Sequence, residues 1–138
     1  MNISARVINR HAHHEILLKT GEREHSFQIA PKPDGFGSSA NGGELLFLAL
    51  ATCYCNDIYR EARKRGMEIQ TVEVEVTGEF GGEGEPARSI SYRSVVEAYA
   101  TREEVLDLMR HTDSVAEIQN TLRQSTAVLL TDCDVREA

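Results

Sequence analysis

The segment from Glu44 to Arg65 constrains this chain more than any other, because its first half, ELLFLALATC, is apolar on every face of a helix. A helix with no polar side must be covered all round, so the remaining elements have to be built about it. Its second half, NDIYREARKR, turns amphipathic, and Gly66 follows as a residue suited to end a helix. Downstream, Val72, Val74 and Val76 alternate with Glu73 and Glu75, which predicts a strand over 69–80 with one wet face. A glycine-rich turn over 78–86 leads into a partner strand over 89–100. Upstream, strands are expected over 3–8, 15–19 and 25–29, with a turn at Thr20-Gly21. Residues 31–43 hold two prolines and four glycines and read as a long irregular loop, a kind of segment that often carries function. Thr101–Glu104 and Ser114–Glu117 each fit a capping box, predicting two short helices, and 126–132 reads as a closing strand.

The order is βββ–α–ββ–αα–β, an α+β arrangement in one domain over 1–138, with curved antiparallel sheets around a long central helix. One small sheet and two short helices give that helix too little cover. A second copy of the chain would supply the rest, so a homodimer is expected.

Composition narrows the function. With 15 Lys+Arg against 22 Asp+Glu the net charge is −7, which repels phosphate backbones and disfavours a nucleic-acid partner. The one basic cluster, Arg60, Arg63, Lys64 and Arg65, is interrupted by Glu61 and reads as a solvated helix end. No apolar run is long enough for a membrane span or a signal peptide, so a cytoplasmic protein without a membrane partner is expected. Three cysteines, Cys53, Cys55 and Cys133, form neither a disulfide framework nor a zinc-type CxxC pair.

Helical spacing separates the two neighbouring thiols. Cys55 shares a stripe with Phe47, Leu48, Ala51, Ile58, Tyr59 and Ala62, and is most simply a small core residue. Cys53 lies where an apolar stripe meets Asn56, Asp57 and Arg60. A part-buried thiol near a guanidinium favours the thiolate, so Cys53 is the candidate nucleophile, with simple packing as the alternative. Cys133 stands near the C-terminus, where only the fold could bring it to Cys53. Glu44 opens the helix as a first-turn carboxylate, nine residues before Cys53 and roughly 13 Å away along the axis. It would not touch that thiol within one subunit, and could face a site completed by another. His11, His13 and His14 cluster near a turn, but two ligands on one strand face without a third more often decorate a hairpin than bind a metal. No phosphate loop, dinucleotide fingerprint or zinc-protease motif is present, and no cofactor or metal is expected.

The run GGELLFLALATCYCNDIYREARKRGMEIQTVEVEVTGEF resembles the signature of the osmotically induced protein C and organic hydroperoxide resistance (OsmC/Ohr) superfamily. Asn120-Thr121-Leu122 resembles the end of that family's C-P-V-S-N-T-L motif. The resemblance implies an OsmC-like fold as an intertwined homodimer with sites at the interface. In its peroxidase members a first cysteine attacks the peroxide, an arginine and a glutamate assist, and a second cysteine resolves the sulfenic acid. Cys53 matches the first cysteine and Glu44 the glutamate of the E-L-L motif, although the peroxidase-type glutamate often falls one position earlier, at Gly43. Arg23 is the best match for the arginine. Ala116 stands where the resolving cysteine belongs, Glu117 where its proline belongs, and the proline of the loop motif is absent from Asn41-Gly42-Gly43. Two functions follow as expectations. One is a thiol-dependent, one-cysteine peroxidase for small hydrophobic hydroperoxides in oxidative-stress defence, regenerated by an external thiol or Cys133. The other is a catalytically degenerate relative that binds a small apolar ligand at the dimer interface.

Overall fold

The computed structural model describes residues 1–136. The element order is β1 (Ile3–Arg10), β2 (His13–Thr20), β3 (Arg23–His25), α1 (Gly42–Lys64), β4 (Ile69–Glu79), β5 (Arg88–Ala98), α2 (Arg102–Val115) and α3 (Glu117–Arg123). The protein is α+β, with antiparallel pairing throughout its two sheets, β1-β2-β3 and β4-β5. The chain divides into two compact units, Met1–Leu46 and the part from Phe47 onward.

In the first unit, Arg10↔His13 and Thr20↔Arg23 close two tight hairpins. The third strand comes earlier than the alternation predicts, at Arg23–His25 instead of 25–29, because the two-residue turn at Gly21-Glu22 starts the ladder at Arg23. The long loop is pinned to β1: the Asn9 side chain donates to the Gly37 carbonyl and accepts from the Gly37 N–H, each at 3.0 Å. Ile16 is the sole buried apolar side chain of this unit, while Ile3 and Val7 are exposed.

In the second unit, Tyr54, Ile58 and Ala62 of α1 meet Leu108 of α2 in a buried core closed by Val72, Val74, Tyr92 and Val96 from β4 and β5. The valine alternation thus turns inward as its period requires. Tyr54 also donates to the Met109 carbonyl at 2.9 Å, and its ring meets Tyr92 edge-on at 5.0 Å. Gly78 lies where a Cβ would come within 2.7 Å of the Phe47 ring, which explains a glycine inside β4. The first half of α1 is not covered all round within one protomer, for Leu48 is 55% exposed.

Helix α1 ends as its sequence indicates. Gly66 adopts φ +67°, its N–H donates to the Arg63 carbonyl at 3.2 Å, and Met67 N–H donates to Ala62 at 2.9 Å, the two bonds of a Schellman turn. The Thr101–Glu104 capping box forms at the start of α2. The Ser114–Glu117 box does not. Helix α2 runs through Ser114, whose hydroxyl donates back to the His111 carbonyl at 2.6 Å, and Ala116 sits extended between the two helices with no side-chain cap on α3. Residues 126–132 form no strand either. Val128, Leu129 and Leu130 are 94%, 78% and 86% exposed, no described strand pairs with them, and β-propensity without a partner makes no ladder.

Replacing Gly66 with Ala puts a Cβ into the left-handed region and is expected to cost about 1 kcal/mol in denaturant unfolding.

Candidate functional site

The face of α1 turned inward carries Leu50, Tyr54, Asp57, Ile58, Glu61 and Ala62, so two carboxylates are buried with the apolar residues. Buried carboxylates need compensating charge or hydrogen bonds, and a single guanidinium supplies much of it. Arg60 Nη1 lies 3.1 Å from Asp57 Oδ1 and 2.7 Å from Glu117 Oε1, while its Nε lies 2.8 Å from Glu61 Oε2. Glu61 further accepts from Lys64 Nζ and His111 Nε2, both at 2.9 Å. The basic cluster is therefore not a solvated helix end throughout: Glu61 is buried, because its contacts to three basic residues and Arg60's reach to Glu117 make the interior position tolerable.

Cys53 stands one turn above Asp57 and is part-buried. Its thiol donates toward Asp57 Oδ2 at 3.6 Å and Glu117 Oε2 at 3.7 Å. Each carboxylate thus places one oxygen on Arg60 and the other on sulfur. Helix α3 is held over this group by Gln119 Nε2, which donates to the Leu50 carbonyl at 3.0 Å. Arg123 pairs with Asp113 at 2.7 Å and tethers α3 to α2.

The electrostatics differ from the expectation that a nearby guanidinium favours the thiolate. Burial first, then the Asp57 and Glu117 charges, push the Cys53 thiol above its usual range, against a backbone hydrogen bond from Ile118. Arg60 is committed to three carboxylates and acts on the sulfur only through them. Burial, and then Glu117 beside it, lift Asp57 to about 6, with Arg60 opposing. A hydrogen bond from Asp57, followed by the Arg60 contact, holds Glu117 down at about 2. Of the two, Asp57 is the one that binds a proton more readily. The Cys53 sulfur and the two carboxylates lie within 4.8 Å of one another, a set of donors of the kind cations use, but Arg60 already occupies the cation's position between the carboxylates.

Glu44 forms a capping box with Asn41: Asn41 N–H donates to Glu44 Oε1 at 3.0 Å, and Glu44 N–H donates to Asn41 Oδ1 at 2.8 Å. Its carboxylate thus caps its own helix. Arg23 opens β3 and is exposed. Cys55 is part-buried beside Val72 and Val74. Cys133 is exposed near the C-terminus, and His13 pairs with Glu15 at 3.5 Å. Ala116 is fully buried, directly before the residue that touches Cys53. Glu117 is the participant that reading by motif missed. The Ser114–Glu117 spacing assigned it to a cap, and only its coincidence with a displaced family proline hinted at the site.

The family model for OsmC-like protein matches residues 35–131, and the chain belongs to that family. Its fold is similar to an OsmC-like protein from Mycoplasma pneumoniae, at 17% identity over 89% of each chain with a TM-score of 0.59. It is also similar to an organic hydroperoxide resistance protein OsmC from Legionella pneumophila (16% identity, 89% of this chain and 90% of that one, TM-score 0.56). The organic hydroperoxide resistance protein OhrB of Bacillus subtilis matches at 18% identity, over 87% of this chain and 90% of its own, with a TM-score of 0.52. No curated protein sequence matches. No helix among the described residues is long and apolar enough to cross a membrane.

The Glu61 hub predicts a signed pH dependence of stability. Hydrogen bonds from Arg60, Lys64 and His111 depress Glu61 to about 2, so its contribution is complete above the ordinary carboxylate range and is lost as pH falls from 4.5 toward about 2. Glu61→Gln is expected to unfold more easily at neutral pH, with the difference from wild type shrinking across that acid window in parallel urea titrations.

Proposed function

We propose that the protein is a one-cysteine, thiol-dependent peroxidase that reduces small hydrophobic organic hydroperoxides, working in the cytoplasm as a homodimer with an external thiol as reductant. The observation that carries the reading is the polar setting of Cys53. A packing cysteine is surrounded by apolar side chains, whereas this sulfur has two carboxylates at hydrogen-bond range and a guanidinium behind them. With Ala116 at the resolving position, the sulfenic acid formed on Cys53 is returned by a thiol from outside the site. Arg23 and Glu44 take the assisting roles that the family resemblance implies.

The homodimer is supported by what one protomer leaves uncovered. A sheet with one buried apolar residue does not stand alone, and the apolar run at 128–130 and Leu48 on α1 need a covering surface. We infer that a second copy supplies it. Sedimentation equilibrium is expected to give twice the 15.4 kDa chain mass.

The raised Cys53 thiol favours a second reading, a catalytically degenerate family member that binds a small apolar ligand at the dimer interface. Single-turnover oxidation separates the two. On the peroxidase reading, cumene hydroperoxide oxidises Cys53 stoichiometrically and much faster than it oxidises free cysteine, mass spectrometry finds the new oxygen on Cys53, and Cys53→Ser abolishes turnover with dithiol. Oxidation no faster than that of free cysteine assigns the protein to ligand binding.

A further inference from the structure

A thiol whose surroundings raise its pKa is mostly protonated at neutral pH, so any reaction of Cys53 must first dispose of a proton. We propose that Asp57 is the proton relay of Cys53: its Oδ2 takes the thiol proton as sulfur attacks and hands it to the leaving oxygen. The hydroperoxide half of this step rests on the peroxidase reading above, while the proton-accepting half holds for attack on any electrophile.

Asp57 is 6% exposed, and its other oxygen is fixed on Arg60 at 3.1 Å, so Oδ2 is left facing the sulfur at 3.6 Å. The groups facing Asp57 are Cys53 and Arg60 on its own helix and Glu117 on α3. Glu117 touches the same sulfur but is a poor base, because its side chain is 61% exposed and its proton affinity is held low by Asp57 and Arg60. A relay works best when its proton affinity is matched to the working pH, and burial together with Glu117 brings Asp57 toward that range.

In the reaction, the sulfur lone pair attacks the terminal peroxide oxygen, the S–O bond forms, and the O–O bond breaks with its electron pair leaving on the alkoxide. Sulfur loses two electrons and becomes the sulfenic acid, whose hydrogen is the one the peroxide already carried. The thiol proton passes through Asp57 to the alkoxide and gives the alcohol.

The test is the pH profile of Cys53 modification by cumene hydroperoxide and, separately, by iodoacetamide, with mass spectrometry following Cys53 in wild type, Asp57→Asn and Glu117→Gln. In wild type the relay gives a plateau from about 6, where Asp57 ionises, to above the ordinary thiol value of 9.0. Asp57→Asn is expected to lose the plateau, its rate rising tenfold per pH unit with thiolate, and to fall roughly 100-fold below wild type at neutral pH with the hydroperoxide. A purely electrostatic role predicts the opposite sign, since removing an anion beside the thiol lowers its pKa and speeds the reaction. Faster modification of Asp57→Asn, or a wild-type rate that climbs with thiolate and shows no plateau, overturns the proposal. So does a plateau lost in Glu117→Gln and kept in Asp57→Asn. The wild-type profile decides even where a variant fails to fold. Should cumene hydroperoxide leave Cys53 unreacted, the peroxidase reading falls, and the iodoacetamide profiles still decide whether Asp57 takes the thiol proton.

Discussion

The Arg60 guanidinium sets the terms for the rest of the second unit. Two carboxylates on the inward face of a helix would each cost several kcal/mol if buried alone, and Arg60 lets Asp57 and Glu61 enter the interior while reaching across to Glu117. Because Glu117 is the first residue of α3, the same contact helps fix where that helix begins relative to α1. The network then extends through Glu61 to His111 on α2, so all three helices meet in one hydrogen-bonded network.

This arrangement changes the chemistry available to the thiol. A free guanidinium beside sulfur would favour thiolate, but here the positive charge is separated from Cys53 by two carboxylates. What reaches the sulfur is acceptor character, which raises its proton affinity and at the same time offers the proton a destination. The departure from the family pattern is thus coherent. Where the family resemblance would place a resolving cysteine and a proline, the chain has a buried alanine and a glutamate that adds a second acceptor.

Much of the fold was legible in the sequence because it depends on periodicity and local chemistry. The valine alternation of β4, the Gly66 stop and the Thr101 cap involve residues close together along the chain, so their spacing carries the information. Three features were misread: a two-residue turn moved the third strand to Arg23–His25, helix α2 runs on through Ser114 with its hydroxyl bonded back to His111, and residues 126–132 have no strand to pair with. For the site, helical spacing put Cys53 next to Asp57 and Arg60, both within two turns of the same helix.

The sequence by itself determined an α+β chain with a greasy central helix, the identity of Cys53 as the thiol at a polar boundary, and the family. Tertiary structure decided what that thiol faces. Glu117 is 64 residues from Cys53 in sequence, and Glu61 meets a histidine 50 residues away. A carboxylate's placement inside or outside depends on the sum of charges and donors gathered around it in space. That sum forms only when α2 and α3 close on α1, and so no spacing along the chain encodes it.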